Sequence, residues 1–295
     1  MRVDDRLDGG YGFLPPLASI RGINRARLIS LIRRRPGLTR SDLSRFSGLS
    51  KGTVSAVVAE LLEEGFLFED DRDGRRQRNT SLRLNGKAGV AVGIELSPDE
   101  CRAALTDMEV RTLRHAQRPL ASTQVETTVA AIASMTAELL SGIEQPCLGV
   151  AIAVPGPTDA AGTTVQFSEG LGWSNVHLAQ RLGQYLPSRV TVINRPRAGV
   201  LGEHWYGAGV GVENLIYVSV SSGVSVGILI GGQLYTGAYG YSGEFGHTTV
   251  LPDGPECICG NRGCLEAIAS IPAILQAVTA RVGKGEPSSL AKPLR

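Results

Sequence analysis

The chain has 295 residues, 42% hydrophobic, 20% charged and 5% aromatic, a balance that supports sizeable buried cores and excludes a largely disordered or collagen-like polymer. No apolar run reaches the ~18 residues of a spanning helix, and residues 1–22 lack the apolar segment of a signal peptide, so a cytoplasmic protein with no membrane partner is expected. The net charge of +2 conceals an asymmetry: residues 23–85 carry 13 Lys or Arg against 8 Asp or Glu, a local +5 that leaves −3 for the remainder. Charge alone fits a solvated basic face as well as a nucleic-acid partner, so pattern decides.

After an N-terminal arm, residues 1–22, the period of a helix begins. Leu28, Leu31 and Ile32 recur at i, i+3, i+4 within residues 23–35, which predicts a first helix stopped at Pro36-Gly37. Thr39 is placed to cap a second helix that buries Leu43 and Phe46, with Asp42 in its first turn, and Gly48 ends it. Ser50 opens a third helix with Val54, Val57, Val58, Leu61 and Leu62 on one face. Helix, short turn and helix make the geometry of a major-groove reader. The candidate DNA-binding positions are Arg40, Ser50, Lys51, Gly52, Thr53 and Ser55, where short side chains let backbone approach base edges and phosphates. Residues 65–69 and 81–84 then read as strands flanking a loop with Arg72, Arg75, Arg76 and Arg78, as expected of a wing on phosphates or in a minor groove. Residues 23–86 are therefore read as a winged helix-turn-helix with double-stranded DNA as its partner. A helical bundle with a charged hairpin is the competing reading.

Beyond residue 86 the pattern becomes α/β. Strands are predicted at 90–96, 102–106, 112–117, 147–154 and 190–194, helices at 125–141 and 197–206, and a hairpin from 215–220 and 226–230. The connection between residues 84 and 90 is short, which should couple the winged helix directly to the domain that follows. Of five cysteines, Cys101 and Cys147 read as buried small hydrophobes. The other three crowd into eight positions: Gly243-Glu-Phe-Gly-His247 is followed by Cys257-Ile-Cys259-Gly-Asn-Arg-Gly-Cys264-Leu-Glu266. His247, Cys257, Cys259 and Cys264 offer one imidazole and three thiolates, a closed tetrahedral set for one structural Zn2+ per chain.

These residues, together with Val154-Pro-Gly-Pro157, Leu171-Gly-Trp173 and the N-terminal module, resemble the ROK family (repressors, open reading frames, kinases) over roughly residues 23–280. The resemblance implies an actin-like (ribonuclease H-like) sugar-kinase fold over residues 87–295. It also implies that the second lobe is incomplete at the C-terminal end, since members of the family continue further. The family has two branches, sugar kinases and sugar-responsive transcription regulators, and the winged helix matches the second. Kinases of the family carry an Asp-x-Gly-Gly-Thr phosphate loop; this chain has Glu95-Leu-Ser-Pro-Asp99. Their general base is the aspartate of an Asn-Asp pair; here the pair is Asn194-Arg195, and a guanidinium cannot accept a proton. Their second glycine loop, Gly-Thr-Gly-x-Gly, is replaced by Ser221-Ser-Gly-Val-Ser225. No catalytic residue and no ATP are expected. Sugar-contacting positions carry over as Asn194, Glu244, His247 and Glu266, although Gly170 stands where the family commonly has a sugar-facing Asn. Arg195 is expected in or near the pocket, where it would favour a phosphorylated or acidic sugar or block the site. The sequence thus reads as a repressor of carbohydrate-metabolism genes, responsive to a sugar or sugar derivative and acting on operator DNA as a homodimer or dimer of dimers. The alternative is an ATP-dependent kinase of a hexose or N-acetylhexosamine.

Overall fold

The apolar stripe of Leu28 and Ile32 seats helix α1 (Ile20–Arg34) in a computed structural model that describes residues 20–70, 80–186 and 188–289. Helix α2 (Arg40–Ser47) starts at a reciprocal cap: the Thr39 hydroxyl accepts from the Asp42 amide, and the Asp42 carboxylate accepts from the Thr39 amide. Gly48 closes it in the left-handed conformation, and Ser50 caps α3 (Lys51–Glu63) by accepting from the Thr53 amide. Val54, Val57, Val58 and Leu61 of α3 pack with Leu28, Ile32, Leu43 and Leu82 in one buried cluster. Arg21 and Arg25 of α1 form ion pairs with Glu60 and Glu64 at the other end of α3. Strands β1 (Leu67–Asp70) and β2 (Ser81–Leu84) pair antiparallel, Leu67 opposite Leu84. The loop bearing Arg72, Arg75, Arg76 and Arg78 lies outside the described residues.

Two expectations need correction here. Helix α1 begins at Ile20, three residues earlier than its periodic pattern. Phe46 is not buried: it is 39% exposed, because Leu43 already fills the core beneath α2. The guanidinium groups of Arg35 and Arg45 each lie 4.7 Å from its ring centroid, partly covering it.

A 3-10 turn at Gly86–Ala88 leads into an antiparallel meander of β3 (Val90–Leu96), β4 (Glu100–Asp107) and β5 (Thr112–Pro119). Helix α4 (Val125–Leu140) crosses to β6 (Cys147–Val154), which pairs parallel with β3. A small hairpin of β7 (Val165–Ser168) and β8 (Trp173–Val176) and the short helix α5 (Leu178–Leu182) precede β9 (Val190–Asn194), parallel to β6. The sheet order is β5-β4-β3-β6-β9. Its core joins Val92, Ile94, Ile152 and Val192 to Ile132 and Met135 of α4 and to Leu178 and Leu182 of α5. Cys101 is buried as expected, and burial pushes its thiol up to about 11. Cys147 is only half-buried, with its Sγ 3.3 Å from Ser188 Oγ, because it opens β6 at the rim of the sheet.

The β4–β5 turn grips the winged helix. Met108 packs against the winged-helix core, and its amide donates to the Gly86 carbonyl at 3.4 Å. The buried Asp107 carboxylate accepts from the Glu109 and Arg111 amides and from Arg111 Nε at 2.7 Å. Val110 in this turn has φ of 64°, a conformation that a β-branched residue holds only when its surroundings impose it.

The chain divides into two units, residues 1–195 and 196–295. Helix α6 (Arg195–Tyr206) starts two residues before the sequence pattern placed it. The second unit contains an antiparallel sheet of β10 (Leu215–Val220), β11 (Val224–Ile230) and β12 (Gln233–Leu234), followed by α7 (Glu266–Ala269) and α8 (Ile271–Gly283).

Replacing Thr39 by Ala removes half of the reciprocal cap and should lower stability by about 1 kcal/mol in chemical denaturation at neutral pH. The Thr39 hydroxyl and amide hold the Asp42 carboxyl below its ordinary value. A depressed folded pKa contributes stability above the unfolded value and loses it as pH falls through the folded one, so the difference between wild type and Thr39→Ala should shrink below about pH 4.

Candidate functional site

The N-terminal turn of α3 presents Lys51, Gly52 and Ser55 to solvent, while Val54, Val57 and Val58 turn inward. With Ser50, which is also exposed, four of the expected DNA-reading positions face solvent around the start of α3. Ser50 and Thr53 have a structural role as well: Ser50 Oγ caps the helix and lies 2.9 Å from Thr53 Oγ1, and Thr53 is half-buried. Arg40 is paired, with its Nη1 2.7 Å from Glu69 Oε1 on β1. Lys51 has no ion-pair partner among the described residues.

In the second unit, His247, Cys257, Cys259 and Cys264 place their ligand atoms within 4.8 Å of one another. Cys257 Sγ is 3.6 Å from His247 Nδ1, and Cys259 Sγ is 3.7 Å from Cys264 Sγ. A tetrahedron with metal–sulfur bonds of ~2.3 Å has edges of ~3.8 Å, which these two spacings approach, so the donor set could hold a metal ion. The loop that brings the donors together is tied by isolated bridges, Thr249 to Cys264 and Glu256 to Arg262. It also needs glycine at 263, where φ is 68° and a Cβ would lie 1.5 Å from the Leu251 carbonyl oxygen. Burial pushes the Cys264 thiol up to about 12, whereas the Asn261 amide draws the exposed Cys259 thiol down.

His247 faces two ways. Its Nδ1 lies 3.6 Å from Cys257 Sγ and its Nε2 lies 4.0 Å from Glu244 Oε2, so the ring stands between the cysteine cluster and a carboxylate. Burial raises the Glu244 pKa, opposed by His247 and Arg197, and Glu266 adds to the rise. Glu266 is partly committed, because its Oε2 accepts from the Val224 amide at 2.8 Å. Glu244, His247 and Glu266 thus form a neighbourhood within the second unit. Asn194 belongs to the first unit, where its Nδ2 donates to the Gly156 carbonyl at 2.9 Å.

Two features escaped the sequence reading. Arg197 is buried and donates through Nη2 to the carbonyls of Gly240 at 2.7 Å and Thr236 at 3.3 Å, pinning the segment that leads to Glu244. Arg195, expected in or near the pocket, has an ion-pair partner that the sequence did not indicate: its Nη2 lies 2.8 Å from Glu95 Oε1. Only the charge of each residue was visible in the sequence, and no periodicity marks the partners.

The sequence profile of the ROK family matches residues 91–293, and that of the MarR family matches residues 22–77. The chain is 33% identical over 270 residues to the xylose repressor of Bacillus subtilis (strain 168), covering 90% of this chain and 70% of that protein. It is 26% identical over 275 residues to the DNA-binding transcriptional dual regulator NagC of Escherichia coli (strain K12), covering 92% and 68%. A solved ROK family transcriptional regulator, described as a homologue of the E. coli MLC protein, superposes with a TM-score of 0.80 at 27% identity over 92% of this chain and 70% of that one.

A side chain at position 263 would collide with the backbone of residue 251 in a left-handed conformation. Gly263→Ala should therefore destabilise the metal loop by more than ~2 kcal/mol, read as a lowered Tm in thermal denaturation.

Proposed function

Because the chain belongs to the ROK family, we propose that it is a sugar-responsive transcriptional repressor of carbohydrate-metabolism genes that binds double-stranded operator DNA. The observation that carries this reading is a complete winged-helix core, with a capped reading helix, fixed to a ROK domain by the β4–β5 turn. We assign residues 1–22 to an arm, 23–86 to DNA binding and 87–295 to the effector domain. In this reading α3 enters the major groove. Gly52 and Ser55 allow close approach, Ser50 and Thr53 hold the helix start against the phosphates, and Arg40, Lys51 and the arginines at 72, 75, 76 and 78 meet the backbone. A homodimer, or a dimer of dimers, would place two such helices on repeated half-sites.

Asn194, Glu244, His247 and Glu266 are the proposed contacts to sugar hydroxyls. The donor set His247, Cys257, Cys259 and Cys264 suits one structural Zn2+, which would staple the loop that positions His247 beside Glu244. Phosphoryl transfer is not part of the proposal, and two features support leaving it out. Pro98 takes the place of a phosphate-cradling glycine and has no N–H to donate, and the Ser97 amide is already bonded to the Glu100 carbonyl at 2.9 Å. Arg195 cannot act as a base towards a hydroxyl. Among the described residues no helix is long and apolar enough to cross a membrane, which agrees with the proposed cytoplasmic site of action.

The reading is tested by titrating the full chain onto promoter fragments mapped by genome-wide DNA capture. Specific binding should weaken steeply with salt as phosphate neutralisation releases counterions, and Lys51→Ala should reduce the logarithmic salt slope by about 1. Binding without sequence preference, or a Lys51→Ala slope equal to wild type, would contradict this assignment of α3.

Metal analysis of the purified chain should find zinc at about one equivalent, as one closed four-donor site requires. Cys264→Ser should lose the ion and melt at lower temperature. Since the thiols must shed protons to bind, zinc retention should weaken as pH falls.

A further inference from the structure

We infer that the effector is a neutral, unphosphorylated sugar, and that Glu95 enforces this choice by neutralising Arg195. The inference rests on the sugar-responsive reading above and names the ligand class of that same site.

Strands β3, β6 and β9 run parallel, with Glu95 opposite Ala153 and Val154 opposite Asn194. Their carboxyl ends therefore deliver Glu95, Gly156 and the Asn194-Arg195 pair to one edge of the sheet, where ligands of α/β folds bind. Arg195 is the first residue of α6. A lone guanidinium at the start of a helix would make this edge a good receptor for a phosphate or carboxylate. Glu95 removes that property. Its Oε1 lies 2.8 Å from Arg195 Nη2, and with side chains 44% and 23% exposed the pair remains open to a ligand. The couple has no net charge, yet it keeps unused N–H donors on the guanidinium and a free acceptor oxygen on the carboxylate, a combination that suits hydroxyl groups. A phosphate approaching Arg195 would meet the Glu95 carboxylate at contact distance and would have to break the pair.

The adjoining wall works in the same direction. The turn after β3 carries Pro98, which has no amide to offer an anion. A Cβ at Gly170 would lie 3.0 Å from Pro98 Cγ, so the turn passes close to residue 170.

The test uses the full chain and the charge-removing isostere Glu95→Gln, with Glu95→Ala as a second variant should the first fail to fold. The probes are xylose, glucose and N-acetylglucosamine, the 6-phosphates of the last two, glucuronate and inorganic phosphate, read by thermal shift and by release of an operator fragment. For wild type, the neutral sugar that acts should bind at least about tenfold more tightly than its phosphate ester. Glu95→Gln should narrow that ratio by about tenfold and gain stabilisation from inorganic phosphate, a gain lost again in the double variant Glu95→Gln/Arg195→Gln. A wild type that prefers the ester or glucuronate overturns the inference, as does Glu95→Gln with an unchanged ratio and no response to phosphate. If no sugar of either kind acts on wild type while Glu95→Gln alone responds to phosphate, the charge block stands and the sugar-responsive reading fails. Silence of every probe on both proteins overturns the two together.

Discussion

The parallel register of β3, β6 and β9 is the constraint on which the rest of the first unit depends. Each strand is apolar on its buried positions, through Val92 and Ile94, Ile152 and Val154, and Val192. A slip of one residue would turn those side chains out of the core, so burial fixes the alignment. Once it is fixed, the strand ends must lie level. Helix α6 then follows β9 without an intervening loop, so the residue after Asn194 is already helical. Charge placement at this edge is thus a by-product of hydrophobic packing several residues away, and evolution can revise the chemistry of the edge without disturbing the core.

The second unit holds a partly buried carboxylate in place beside the buried valines of β11. Glu244 is approached from one side by the buried guanidinium of Arg197 and from another by the imidazole of His247. Arg197 restrains the chain before Glu244, and the cysteine loop restrains the chain after it. A carboxylate held this way has little conformational freedom left to lose.

Much of this was legible in the sequence, and for local reasons. The winged helix could be read because caps and periods are encoded within a few residues: Thr39 with Asp42, Ser50 with Thr53, and the valines of α3. The metal donors were equally plain because their spacing is the signal. Strands β7 and β8 were not seen, since at four residues each they are too short for an alternating pattern to stand out. Phe46 was misjudged because burial was inferred from its apolar ring, while two arginines from different segments supply its cover. The partner of Arg195 was not foreseen, because Glu95 lies on β3, a hundred residues away along the chain.

The β4–β5 turn also bears on how such regulators are assembled. Met108 lies in the β4–β5 turn, beyond the winged helix in sequence, yet packs with it. A winged helix cut out at the linker would therefore carry an open apolar socket where Met108 had been, together with a Gly86 carbonyl deprived of its donor. The unit of exchange between regulators is then not the DNA reader alone but the reader with the matching turn of its host. A graft that swaps readers while keeping the recipient's turn inherits a mismatched joint, and the contorted backbone at Val110 shows how closely that joint is fitted.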